Sequence, residues 1–110
     1  MPDNLFENLP AMSSPEEVIG TLLAGGPFRL ERIISTEQAT SPGQWLRSSQ
    51  DEWVVLLSGG ASLLLEDESE PMHMRPGDFV HLPAGLKHRV ESTDSEQPTV
   101  WLALHYTANE

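Results

Sequence analysis

Glu52 and His88 are the residues of this chain best suited to chemistry. Each opens a short run that reads as strand, Glu52-Trp-Val-Val-Leu-Leu57 and His88-Arg-Val-Glu91. Side chains alternate between the two faces of a strand. Glu52 therefore shares a face with Val54 and Leu56, and His88 shares one with Val90. If these aliphatic residues line an interior, the carboxylate and the imidazole point inward with them. Ionisable groups turned into an apolar interior need a partner or a ligand. For the carboxylate without a metal ion, the imidazolium of His88 is the obvious partner. The chemistry open to such a pair is proton transfer, metal coordination or binding of a small molecule.

The spacing around both residues is regular. Six residues separate Glu52 from Gly59. The stretch Gly77-Asp-Phe-Val-His-Leu-Pro83-Ala-Gly85-Leu-Lys-His88 reads as Gly, five residues, Pro-x-Gly, two residues, His. Together these resemble the two sequence motifs of the cupin superfamily, in its small single-domain form. The resemblance covers residues 28–106 and implies an all-β jelly roll, the double-stranded β-helix. It puts turns at Gly77 and Pro83, a tight corner at Gly85, and His88 inside the barrel. Ser92 stands where the family pattern has Asn.

The first motif is only half present. The family pattern is Gly, five residues, His-x-His, three or four residues, Glu, six residues, Gly. Counting back from Glu52 puts the histidine positions at Leu46 and Ser48, or at Trp45 and Arg47. Counting forward from Gly43 puts them at Ser49 and Asp51. The first histidine of the chain is His73, so none of these positions carries one. Metal-binding cupins use both histidines, the glutamate and the second-motif histidine, and here only Glu52 and His88 match. Two ligands rarely hold a divalent ion tightly. Zinc, iron, manganese or nickel could still be the cofactor if His105 joined Glu52 and His88. That requires Trp101, Ala103 and His105 to face inward. The alternative set, Leu102, Leu104 and Tyr106, is the better aliphatic core face, so His105 is expected outside.

Other polar and aromatic residues get plainer readings. Gln44, Leu46 and Ser48 fall near the expected barrel mouth and join Glu52 and His88 as the candidate ligand pocket; Gln44 and Ser48 could equally be plain loop. Trp45, Trp53 and Trp101 are expected to pack in the core or an interface. His81, between Val80 and Leu82, and His73, between two methionines, are expected on the surface. Glu66-Asp-Glu-Ser-Glu70 lacks the central glycine of a calcium loop and reads as a solvated hairpin tip.

These residues are positioned by short elements. Strands are expected over 28–34, 44–47, 53–57, 61–65, 72–74, 79–82, 88–91 and 99–106, separated by Gly/Pro/Ser-rich turns. Residues 1–27 are read as an arm and a helix ahead of a barrel domain over 28–110. The arm, residues 1–13, is Pro- and Asn-rich; by analogy with the family it crosses to a neighbouring subunit. Ser14-Pro15-Glu16-Glu17 is a helix-start signal with a capping box, and Gly25-Gly26-Pro27 ends the helix. The second face of 52–57 (Trp53, Val55, Leu57) is also apolar, which calls for an outer cover and supports a homodimer.

Composition narrows the function classes. The chain has 110 residues, a formal net charge of -11 and no cysteine. Thiolate metal sites, disulfides and cysteine nucleophiles are excluded. The acidic surface argues against nucleic acid and anionic membranes. Arg75, Lys87 and Arg89 could form a local basic spot. The N-terminus lacks a signal-peptide pattern, so a cytoplasmic location is expected. The expected function is binding of a small polar metabolite at a degenerate metal site. The alternative is a metal-dependent or acid–base enzyme with Glu52 and His88 as catalytic residues. An isomerase or epimerase of a sugar-like substrate fits that better than a dioxygenase, which would need iron.

Overall fold

Short runs of β-branched, aliphatic and aromatic residues, cut by Gly, Pro and Asp turns, cannot propagate helices and pair as strands instead. The computed structural model describes residues 1–108; residues 109 and 110, the end of the expected barrel domain, lie outside them. Eight strands follow in order: β1 (Val18–Ala24), β2 (Phe28–Ser35), β3 (Asp51–Ser58), β4 (Ala61–Leu65), β5 (Met72–Met74), β6 (Phe79–Leu82), β7 (His88–Thr93) and β8 (Thr99–Tyr106). They form two antiparallel sheets, ordered β1-β2-β8-β3-β6 and β5-β4-β7. The expected strand at 44–47 reduces to a single bridge between Leu46 and His88.

The main core lies between the sheets. Val54, Leu56, Leu82, Trp101 and Ala103 come from the larger sheet, and Ala61, Leu63 and Met74 from the smaller one. The larger sheet is covered on its other face as well. Ile34 and Val100 alternate with core-facing Ile33 and Trp101, yet both are fully buried. Arg32 shares their face and donates from Nη1 to the carbonyls of Leu5 (3.2 Å) and Glu7 (2.8 Å). The N-terminal arm thus folds back over its own sheet. Thr36 and Gln38 hold its far end by donating to the carbonyl of Ser14.

Two expectations are corrected. The first is the helix after Ser14. No helix occurs among the described residues, and Val18–Ala24 is strand β1, paired antiparallel with β2. Val18, Ile19 and Thr21 are stiff β-branched residues, and Gly20 costs a helix about 1 kcal/mol relative to alanine. The ladder to β2 outweighs a local start signal. Ser14 does not cap a helix: its Oγ donates to the carbonyl of Glu16. The second is β8. Trp101 and Ala103 face the core while Leu102 and Leu104 are only half-buried, so His105 turns inward. Aliphatic content could not identify the core face because β8 is covered on both sides.

The turns behave as the glycines suggest. The Asp78 amide donates to the Arg75 carbonyl (2.9 Å) across Pro76-Gly77, and Gly77 has a φ of 95°, as a type II turn requires. Gly59 and Gly85 share a φ of 84°, but their surroundings differ. A Cβ on Gly59 would lie 2.5 Å from Thr99 Oγ1 and 2.7 Å from Thr99 Cα, whereas one on Gly85 would meet nothing within 4 Å.

That contrast predicts two unequal losses of stability. Gly85→Ala carries only left-handed backbone strain, about 1–2 kcal/mol. Gly59→Ala adds overpacking against strand β8, for a total of about 3 kcal/mol or more. Urea unfolding of the two variants against the parent protein measures the difference.

Candidate functional site

A cavity of about 100 Å³ opens between the sheets beside the core. Its walls are Ile33, Val54, Leu63, Leu82, Val90 and Trp101, with Glu52 and His88 as polar groups. Leu46 and Glu17, both exposed, stand at its mouth. Strand alternation sets this up. Glu52 follows Val54 and Leu56 inward from β3, and His88 follows Val90 inward from β7.

His88 is fixed by its neighbours. Its backbone pairs with Leu46 in both directions, at 2.7 and 3.0 Å. The residue is only 6% exposed. Nδ1 lies 3.2 Å from the carbonyl oxygen of Leu86. A carbonyl can only accept, so Nδ1 carries the hydrogen. Nε2 is left with no hydrogen-bond partner among the described residues, on a side chain that lines the cavity.

Glu52 is similarly placed. Its side chain is 14% exposed, and neither carboxylate oxygen receives a hydrogen bond among the described residues. The imidazole beside it belongs to His105, not to His88: Glu52 Oε1 lies 3.9 Å from His105 Nδ1. That distance suits an ion pair but is too long for a hydrogen bond. The expected Glu52–His88 pair is therefore replaced by two groups that line one cavity from opposite sheets without touching.

His105 belongs to a network that the sequence reading did not find. Its Nε2 lies 2.9 Å from Glu31 Oε1, and Arg29 Nε lies 2.9 Å from Glu31 Oε2. Glu31 and His105 are each 13% exposed. Arg29 and Glu31 alternate with core-facing Ile33, so they too point inward. Phe28, Leu30 and Ile34 make the opposite face of β2 the more apolar one in sequence, so alternation alone does not single out Arg29 and Glu31.

This donor set does not fit a resident metal ion. Glu31 and Glu52 address opposite nitrogens of the His105 ring, so these groups cannot converge on one point. Among the described residues no group of three or more His, Asp or Glu side chains is arranged to hold an ion. Leu46 brings an aliphatic side chain to the cavity, at a position where one register of the family pattern would put a histidine. Glu52, His88 and His105 therefore do not form the tentative ligand triad.

The remaining candidates are scattered. Gln44 lines a neighbouring hollow that shares Glu17, Leu46 and Val90. Ser48 lies in a separate surface dip with Arg47 and Gly85, and its Oγ accepts from the Gln50 amide. Trp53 packs on Phe79, with ring centroids 5.4 Å apart. His81 and His73 are exposed. Arg89 is not part of a basic spot: its guanidinium donates to the carbonyls of Thr40, Ser41 and Gln44 and clamps that loop. Glu17, read as a helix residue, instead accepts a hydrogen bond from Ser35 Oγ.

His105→Ala would leave two mostly buried carboxylates, Glu31 and Glu52, without the ring between them. Hydrogen bonds to charged groups contribute about 1.5–3 kcal/mol. A loss of that size is expected in urea unfolding at neutral pH, and His105→Gln, which can still donate to Glu31, should lose less.

Comparison with known proteins agrees with this architecture. The family described as Cupin domain matches residues 34–105. A protein of Ralstonia eutropha JMP134, provisionally described as a mannose-6-phosphate isomerase, is 46% identical, with a TM-score of 0.94 over 98% of this chain and 99% of that one. The TT1209 protein of Thermus thermophilus shares the fold at 17% identity, with a TM-score of 0.75 and 96% of each chain covered. Acireductone dioxygenase of Rhodopseudomonas palustris (strain TIE-1) is 32% identical over 65 residues, 57% of this chain and 39% of the enzyme. The chain thus spans well under half the length of the curated relatives it matches. With the family model spanning strands of both sheets, and the glutamate and histidine of its two motifs lining one cavity, the chain belongs to the cupin domain family.

Proposed function

We propose that this cupin is a cytoplasmic binding module that takes a small molecule into the cavity between its sheets. Glu52 and His88 are its polar contacts, and no resident metal ion takes part. The observation that carries the reading is a pair of unmet polar groups. Glu52 receives no hydrogen bond, and His88 Nε2 has no partner among the described residues, although both side chains are largely removed from solvent. A bound molecule that donates to both would use hydrogen-bonding capacity that the protein itself leaves open at the cavity. The cavity, about 100 Å³, is below the ~300 Å³ at which drug-sized sites begin. The ligand is therefore small, or inserts one end.

A second reading is an acid–base isomerase of a sugar-like substrate, supported by the provisional description of the Ralstonia protein. Glu52 and His88 approach the cavity from different sheets, as a base and an acid on two sides of a substrate would. A dioxygenase reading, suggested by the Rhodopseudomonas enzyme, is weaker because the donor set does not fit an ion.

The homodimer belongs to the same proposal, with a second copy seated on β1. This edge strand has no charged residue, and all seven of its positions are exposed. Its outer backbone groups are a template for further pairing. On a body of net charge -11, an uncharged strand is where two copies repel least.

Two measurements test these statements. A thermal-shift screen of small polar metabolites should give stabilisation that His88→Ala and Glu52→Gln abolish. A ligand at a hundred times its Kd contributes about 2.7 kcal/mol, equivalent to several degrees for a domain of this size. A shift that survives in both variants would place the ligand elsewhere. In sedimentation velocity the parent chain should run as a dimer and Ile19→Asp/Leu23→Asp as a folded monomer; a monomeric parent contradicts the dimer.

A further inference from the structure

The polar lining of the cavity is two carboxylates and an imidazole whose Nδ1–H is already spent on a backbone carbonyl, with no lysine or arginine among the described residues that line it. From this we infer that the site selects a small organic cation, an alkylammonium with a short branched apolar body, over anions such as phosphates and carboxylates. The inference rests on the small-molecule reading above and names its ligand class.

The argument begins with His88, a residue 6% exposed that lines the cavity. Its Nδ1–H is spent on the Leu86 carbonyl at 3.2 Å, so in the imidazole form the nitrogen turned to the site, Nε2, presents a lone pair. Glu52 adds two carboxylate oxygens that receive no hydrogen bond among the described residues. Glu17 adds a second carboxylate at the mouth. The indole N–H in the wall, Trp101 Nε1, already donates to Ser35 Oγ at 3.1 Å. Trp101 therefore offers the ligand an apolar, π-bearing surface and no donor.

Among the described residues no lysine or arginine lines the cavity. Arg29 is committed to Glu31 and Arg89 to three loop carbonyls. An anion entering here would meet two carboxylates and a lone pair. An ammonium would meet three acceptors, and charge-assisted hydrogen bonds are about twice as strong as neutral ones. An aromatic wall adds cation–π attraction. The aliphatic walls, Leu63 and Val90 among them, suit a short branched carbon body.

Three isosteric probes test the inference by NMR titration of the full chain, at 0.15 M salt with EDTA present. They are isobutylammonium, isobutanol and isovalerate, read at the side-chain signals of Trp101 and His88. Isobutylammonium is expected to shift these signals and to bind about tenfold more tightly than either other probe. Glu52→Gln should weaken the amine about as much and leave isobutanol unchanged; Glu17→Gln should have a smaller effect. Isobutanol or isovalerate binding in the cavity as tightly as the amine overturns the charge class and leaves the small-molecule reading standing. Undiminished amine affinity in Glu52→Gln also overturns it, as do amine shifts confined to surface acidic residues. If no probe moves Trp101 or His88, the inference fails, and the metabolite screen decides separately whether the small-molecule reading fails with it.

Discussion

Strand β8 buries both of its faces, and that double cover decides where the ionisable residues of the site point. Trp101 and Ala103 pack toward the smaller sheet, and Val100 is buried on the opposite face. With Trp101 held inward, the pleat carries His105 inward four residues later. His105 then stands between Glu31 of β2 and Glu52 of β3, on the two strands that flank β8 in the sheet. The arm is tied to the opposite face of the sheet through Arg32, on the side where Ile34 and Val100 are fully buried.

The site divides into a satisfied half and an unsatisfied half. Arg29, Glu31 and His105 pair with one another and form a polar edge, with Arg29 reaching out to solvent. Glu52 touches that edge only at ion-pair distance, and His88 faces it across the cavity. A carboxylate and an imidazole nitrogen that find no hydrogen-bond partner among the described residues, beside apolar walls, are open to a ligand. The same two positions carry the motif glutamate and histidine of the family. The fold thus keeps two of the family's ligand positions at the cavity, and in one register of the first motif Leu46 takes the place of a third.

Much of the architecture was legible in the sequence. Turn residues bounded the strands closely, and the Gly77–His88 spacing located the histidine that lines the cavity. Glu52 was placed on the correct face by alternation with Val54 and Leu56. What was not legible depends on layers rather than on local pattern. Both faces of β8 are covered, so choosing its more aliphatic side as the core gave the wrong orientation for His105, and Arg29 and Glu31 on β2 drew no reading. The start signal at Ser14 was a genuine local preference. It lost to a ladder with β2 that no local window contains. Gln44 and Ser48 were close in sequence to the cavity mouth, but the irregular loop between β2 and β3 places them in two different surface hollows.

The central claim is that Glu52 and His88 serve a ligand rather than a bound metal ion. Elemental analysis of untagged protein purified without added metal, beside His88→Ala, tests it most directly. The account predicts no near-stoichiometric divalent metal in either protein. A stoichiometric ion in the parent that is lost in His88→Ala would contradict it, and would mean that the cavity recruits ligands beyond those that line it here.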